Sequence, residues 1–287
     1  MSMDNGKSGS KRKVGASAPG FLNSKRMGFV KNAVEIELTT RCNLGCYNCD
    51  RSTRQAPSGE SMSLGQLRFF MLESLRLGRK WDYISILGGE PTLHPRLLTI
   101  LEDFRRLGFN TANIQIISNG YGREVRSALK RLPPWLVIND TKKKSPVQQF
   151  RLFNLAPADF GVKNASPCLI PQNCGHGLSR YGYYPCGAGA SIDRVFGFDI
   201  GIKRLEDLTP ENTGKQLKLL CRYCGHSPSM NKYLDSLNDW LKGGAFRETA
   251  PGAGLQRAQY TAPVSKSWLK AYEKYRKKKP ALRLYGK

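Results

Sequence analysis

Between residues 34 and 140 short apolar runs alternate with longer amphipathic ones, and few folds accept that order. VEIEL (34–38), YISILGGEP (83–91), NIQIISNG (113–120) and WLVIND (135–140) are rich in Val and Ile and read as strands. SLGQLRFFMLESLRLG (63–78), RLLTILEDFRRLGF (96–109) and REVRSALKRL (123–132) repeat apolar residues at helical spacing, with Ser63 as an N-cap and Gly108 as a C-cap. FRLFNLAP (150–157) reads as one more strand. Strands this continuous in apolar residues belong in a parallel sheet covered by helices. In such folds the chemistry gathers at the C-terminal strand ends.

Each of the first three strand ends carries a motif. After the first comes ELTTRCNLGCYNCD, which spaces Cys42, Cys46 and Cys49 as C-x3-C-x2-C. The second runs into Gly88, Gly89, Glu90 and Pro91, and the third into Ser118, Asn119 and Gly120. Three thiolates with no fourth nearby leave a metal site with one open position. Structural zinc takes four ligands and closes its site. An iron–sulfur cube has four irons, so three cysteines leave one iron bare. Glycines let backbone approach a ligand closely, and an acidic side chain beside strand-end carbonyls can hold an ammonium group. Asn-Gly by itself also makes a turn.

The cysteine triple, with GGEP roughly 40 residues further on, resembles the radical SAM superfamily. The resemblance implies a partial (β/α) barrel over residues 31–160, a curved sheet that does not close. It implies that Cys42, Cys46 and Cys49 hold a 4Fe–4S cluster whose open iron binds the amino and carboxylate groups of S-adenosylmethionine. Gly88, Gly89, Glu90 and Pro91 would line the methionine end of that cofactor, and Ser118 and Asn119 would contact its ribose or carboxylate. The implied reaction starts with one electron from a flavodoxin or ferredoxin. The sulfonium is cleaved to methionine and a 5′-deoxyadenosyl radical, which takes hydrogen from an unactivated carbon. One position departs from the family pattern: Asn48 stands where an aromatic residue usually precedes the third cysteine, and Tyr47 lies one place earlier.

A second constellation begins after residue 160, where the alternation stops and Gly, Tyr and Cys become frequent. Cys168, Cys174, Cys186, Cys221 and Cys224 resemble the SPASM or twitch extensions that follow many radical SAM barrels. This implies a small Cys-rich C-terminal extension at 161–243 with little core of its own, in which four of the five cysteines hold an auxiliary 4Fe–4S cluster. A zinc knuckle is the competing reading, because His176 and His226 each follow a Cys-Gly pair. His94 reads as a residue that shapes the turn after GGEP. Auxiliary clusters are frequent in superfamily members that modify peptides or oxidise alcohols, so the expected substrate is a peptide or a small molecule.

Eight cysteines with no apolar stretch behind the basic N-terminus favour metal binding over disulfides and a cytoplasmic location. No apolar run is long enough for a membrane span. The net charge of +24 is concentrated at the two ends. Residues 1–31 hold seven Lys/Arg against one acid, and residues 262–287 hold nine against one. Residues 1–30 read as a loose basic tail, 229–243 as a helix, and 244–287 as a linker followed by a basic helix at 265–279. Trp268, Tyr272 and Tyr275 lie on one side of that helix, where they either pack on the body or stack on nucleobases. Two alternatives therefore stand beside the first reading. One is a radical SAM enzyme acting on RNA, with the tails and Lys142–Lys144 on phosphates. The other is a non-catalytic zinc protein that binds nucleic acid.

Overall fold

The computed structural model describes residues 32–144, 152–231, 233 and 264–286. It is a mixed α/β fold with one six-stranded sheet in the order β4-β3-β2-β1-β5-β6. Strands β1 (Ala33–Thr39), β2 (Tyr83–Gly88), β3 (Ile114–Ser118) and β4 (Val137–Asp140) are parallel neighbours. Helices α1 (Leu64–Arg76), α2 (Leu97–Arg106) and α3 (Arg123–Lys130) connect them. The expected alternation is present, with ends close to those the sequence marks. The expected basic tail and linker lie outside the described residues, as does most of the expected helix at 229–243.

Local chemistry accounts for these helices. Ser63 and Gln66 form a reciprocal capping box: the Gln66 amide donates to Ser63 Oγ at 3.1 Å, and the Ser63 amide donates to Gln66 Oε1 at 3.0 Å. In α2, Leu97, Ile100, Leu101 and Phe104 follow helical spacing and are the buried residues. Gly108 follows that helix at φ +77°, a left-handed conformation suited to glycine.

Period-two alternation sorts β1 into two faces. Val34, Ile36 and Leu38 join Ile84, Ile86 and the inner faces of α1 and α2 in one apolar cluster. Glu35, Glu37 and Thr39 point the other way and are also buried. The strand is thus covered on both sides, by hydrocarbon on one and by charge on the other.

Two stretches differ from the sequence expectation. Residues 152–156 form no strand. Their main chain bonds to loops instead: the Phe153 carbonyl accepts from the Gly225 amide at 2.8 Å, and that of Asn154 from the Ser265 amide at 3.2 Å. The Cys-rich stretch contains an unexpected hairpin, β5 (His176–Ser179) and β6 (Gly182–Tyr184). β5 runs parallel along the free edge of β1, with Glu35 opposite Gly177. This stretch therefore extends the main sheet.

The Cys-rich stretch also helps to build a second apolar cluster. Helices α5 (Gly187–Phe196) and α7 (Lys266–Lys277) supply much of it, with α4 (Ile170–Cys174) and α6 (Pro210–Leu220) nearby in sequence. Trp268, Tyr272 and Tyr275 of α7 are almost fully buried. Trp268 Nε1 donates to the Tyr223 carbonyl at 2.7 Å, and Tyr272 OH lies 3.1 Å from Ser52 Oγ. The aromatic stripe of the basic helix is spent on packing. Among the described residues no helix is long and apolar enough to cross a membrane.

Candidate metal and cofactor site

The loop after β1 is pinned at both ends. The Thr40 amide donates to the Glu60 carbonyl at 2.8 Å, and the Met62 amide donates to that of Leu38 at 2.9 Å. Between these bonds lie Cys42, Cys46 and Cys49, none of them in a disulfide. Burial pushes the Cys42 thiol up to about 12; the Leu44 amide opposes this, and Cys49, Cys46 and Glu90 add to it. Burial also pushes Cys49 up, with help from Asp50. Three thiols that repel one another once ionised, in a site poor in water, favour a cation among them. Asn48 sits just before Cys49 at φ +53°. Asn tolerates that left-handed geometry better than a bulky aromatic residue does, which gives a backbone reason for the departure at this position.

The GGEP turn packs against this loop. The Gly89 amide donates to the Thr39 carbonyl and the Glu90 amide to that of Arg41, each at 2.7 Å. A side chain at Gly89 would strike the Arg41 carbonyl and come within 3.1 Å of Cys42 Cβ. Glu90 is fully buried and accepts several hydrogen bonds: from Thr92 Oγ1 at 2.6 Å, the Asn119 amide at 2.8 Å and Ser118 Oγ at 3.0 Å. Its carboxylate thereby holds the third motif against the second. Asn119 Nδ2 in turn donates to Asn43 Oδ1 at 2.9 Å and lies 4.0 Å from Cys42 Sγ. The three strand-end motifs thus converge on Cys42. Pro91 opens a 3-10 turn, and His94 fixes the chain beyond it: Nε2 meets the Met62 carbonyl at 2.9 Å, and Nδ1 accepts from the Arg96 amide at 3.1 Å.

The later cysteines divide into four and one. Cys168, Cys186, Cys221 and Cys224 line one pocket. Cys174 is not among its lining residues and lies toward Glu35, whose charge adds to the rise in its thiol's pKa. Burial pushes Cys186 and Cys174 up to about 12 and Cys221 to about 11. Neither histidine named with this group lines the cavity. His176 opens β5, where burial lowers it to about 4, and His226 packs its ring 5.9 Å from that of Phe153. Among the described residues no three His, Cys, Asp or Glu side chains are grouped so as to hold a single metal ion. In an iron–sulfur cube each thiolate meets a different iron, so the donors form a ring around a space.

Between the two cysteine sets lies a charged layer that no sequence motif singles out. Arg51 Nη2 donates to Glu35 at 2.8 Å, with both side chains under a tenth exposed. Arg194 of α5 is 2% exposed and reaches the Arg51 and Ala56 carbonyls at 2.9 and 2.7 Å. Burial raises the Glu35 and Glu37 carboxyls above their ordinary range, although Arg51 pulls both down and Arg194 also pulls on Glu37. The signal was present in VEIEL, whose alternation puts two acids on the face opposite three apolar residues.

Comparison with known proteins gives a family for part of the chain. Residues 36–139 match the family model of the Radical SAM superfamily. A probable GTP 3′,8-cyclase of Methanococcus maripaludis strain C5 is 33% identical over 81 residues, which are 28% of this chain and 26% of that relative. A second, from strain C7, matches to the same extent. The chain thus spans about a quarter of the length of the curated relatives it matches. Among solved structures, BtrN in an open conformation aligns with 70% of this chain and 91% of its own, at 17% identity and a TM-score of 0.41. BtrN in complex with AdoMet and 2-DOIA covers 80% of this chain and 97% of its own, at 14% identity and a TM-score of 0.39. The matched segment runs from β1 to β4 and contains the cysteine triple, GGEP and SNG. The likeness to the Radical SAM superfamily thus lies in residues 36–139, the segment that carries all three strand-end motifs.

Proposed function

We propose that this chain cleaves S-adenosylmethionine reductively and removes hydrogen from a peptide or small-molecule substrate. The observation that carries the reading is the convergence on Cys42: three cysteines in one loop, none in a disulfide, with the GGEP and SNG turns packed against the first of them. The residues fit a 4Fe–4S cluster. Leu44 N–H lies 3.4 Å from Cys42 Sγ, the kind of donor that steadies a cluster sulfur. When bound, such a cluster would supply the one electron that reductive cleavage of the sulfonium needs. Gly88 and Gly89 let the turn pack against the Thr39 and Arg41 main chain, which would set backbone at the cofactor's methionine end, and Glu90 holds Ser118 and Asn119 at the strand end.

Cys168, Cys186, Cys221 and Cys224 are proposed to hold an auxiliary 4Fe–4S cluster, with Cys174 as the spare. Their shared pocket supports this. On this reading the parallel strands are the curved sheet of a partial barrel. A flavodoxin- or ferredoxin-type protein is the proposed electron donor.

Anaerobic reconstitution with iron and sulfide tests the proposal. Native protein should take up about eight irons, four per site, and form 5′-deoxyadenosine with dithionite and S-adenosylmethionine. Cys42→Ala should form none. Colourless protein loaded with zinc, or cleavage that persists in Cys42→Ala, would sink the reading.

A further inference from the structure

One buried side chain joins the two cysteine sets. Arg51 lies two residues past Cys49, and its side chain turns inward until only 7% of it is exposed. Its guanidinium donates to Glu35 at 2.8 Å and packs against Gly187, the residue after Cys186. A Cβ at Gly187 would fall on the guanidinium, with Cζ at 2.5 Å. The same helix holds the Arg51 main chain, because the Arg51 carbonyl accepts from Arg194 Nη2 at 2.9 Å. Nη1 is buried and has no hydrogen-bond acceptor among the described residues. A buried charged donor without an acceptor is costly to fold, so its retention calls for something further to offset it.

We propose that Arg51 is a positioning residue for the auxiliary centre: the buried cation that offsets the negative charge gathered beyond Gly187 and raises that centre's reduction potential. The inference rests on the reading of Cys168, Cys186, Cys221 and Cys224 as an iron–sulfur site. A cube held by four thiolates gains a further negative charge on reduction, so a nearby cation favours the reduced form, most strongly where water is excluded. Glu35 brings the opposite charge into the same space, and the two side chains pull the potential in opposite directions. Asp50 also approaches Arg51 Nε, at 3.8 Å, but is 45% exposed and screened by solvent. Glu37 and Arg194 complete the layer and partly cancel each other. Gly187 is needed because any larger residue would push the guanidinium away.

The test uses full-length protein carrying Cys42→Ala, Cys46→Ala and Cys49→Ala, reconstituted anaerobically and titrated by EPR-monitored reduction. In this parent only the auxiliary centre contributes. At the parent's midpoint, Arg51→Met should lower the reduced-to-oxidised ratio at least tenfold, which is 59 mV for one electron. Glu35→Gln should shift it the other way, and Arg51→Lys should stay near the parent. A purely structural role would change iron retention and leave the potential of the loaded centre in place. Iron-loaded Arg51→Met and Glu35→Gln proteins that both titrate within threefold of the parent would overturn the proposal. If Arg51→Met does not fold, Glu35→Gln alone decides. A parent that takes up no iron would remove the auxiliary-centre reading and this inference with it, whereas loaded protein with unmoved potentials removes this inference alone.

Discussion

Arg194→Met should loosen the far end of the cysteine loop more than any other part of the molecule. Arg194 donates from Nη1 to the Ala56 carbonyl at 2.7 Å and to Tyr275 OH at 3.0 Å, and from Nη2 to the Arg51 carbonyl at 2.9 Å. Methionine keeps the stem and removes all three donations. Each buried acceptor left without a donor costs about 1–3 kcal/mol. The guanidinium's own desolvation penalty disappears as well, so the three losses do not simply add. Breaking a buried charged network by removing one member costs about 3–5 kcal/mol. At about 2–4 °C per kcal/mol in a chain of this size, the expected loss of Tm is on the order of 10 °C. Thermal melting of the apo protein with reduced thiols measures this, and amide exchange locates it. Protection should fall across residues 50–56 and the facing turns of α7, while β2 and β3 keep theirs. Arg106→Met is the control, since its side chain is 70% exposed and the change should cost under about 0.5 kcal/mol. A Tm loss under about 3 °C with unchanged exchange in 50–56 would refute the idea that α5 holds the loop.

Gly89→Ala forces a methyl group onto the Arg41 carbonyl and Cys42 Cβ, both part of the cysteine loop. It should cost about 1–3 kcal/mol and reduce iron retention at the first site, read by iron analysis beside a thermal melt. The Glu37 carboxyl is raised above its ordinary 4.5 by burial, so it binds its proton more tightly in the folded protein. Its contribution is fully present below about pH 4.5 and is lost as pH rises through the raised value. Urea midpoints measured across that range should therefore fall with rising pH, and Glu37→Gln should flatten the decline; an unchanged slope would contradict the assignment. Cys174→Ala should keep the iron of the auxiliary centre, while alanine at Cys168, Cys186, Cys221 or Cys224 should lose it. Iron counts in the background without the first site separate the five.

The strands that were legible in the sequence are those whose own residues favour a doubly covered strand. VEIEL, YISIL and NIQII are β-branched and bounded by turns, and each became a strand within a residue or two of the expected ends. HGLS and GYY hold no Val or Ile and are four and three residues long. They are strands because the edge of β1 was open to pair with them, and no local propensity records that. Gly177 carries the reason in three dimensions: a Cβ there would strike the Cys186 and Gly187 backbone, so glycine is what lets α5 lie on β5. The cysteine triple was legible because its spacing is local. The division of the later five was not, because Cys168 stands just before α4 and Cys174 at its end, and only the packing of that helix sends one to the pocket and the other toward Glu35. The aromatic stripe of α7 showed the opposite ambiguity, since a stacking surface and a packing surface share one pattern. Burial of Trp268 decides between them.

Both cysteine sets take their position from β1. Its C-terminal end places the first: Thr39 pairs with Gly88 and accepts from Gly89, which abuts Cys42. Its N-terminal half places the second: Glu35 lies opposite Gly177, over which Cys186 and Gly187 pass, and Glu35 holds the Arg51 guanidinium against Gly187. Four residues separate these points, or roughly 13 Å of extended strand. A slip of one residue in β1 would turn Glu35 and Glu37 into the apolar cluster and Val34, Ile36 and Leu38 toward the arginines. Neither site could survive that exchange. The hydrocarbon buried on one face therefore sets the geometry on the other, and the spacing of the two sets is fixed as firmly as the register of the strand.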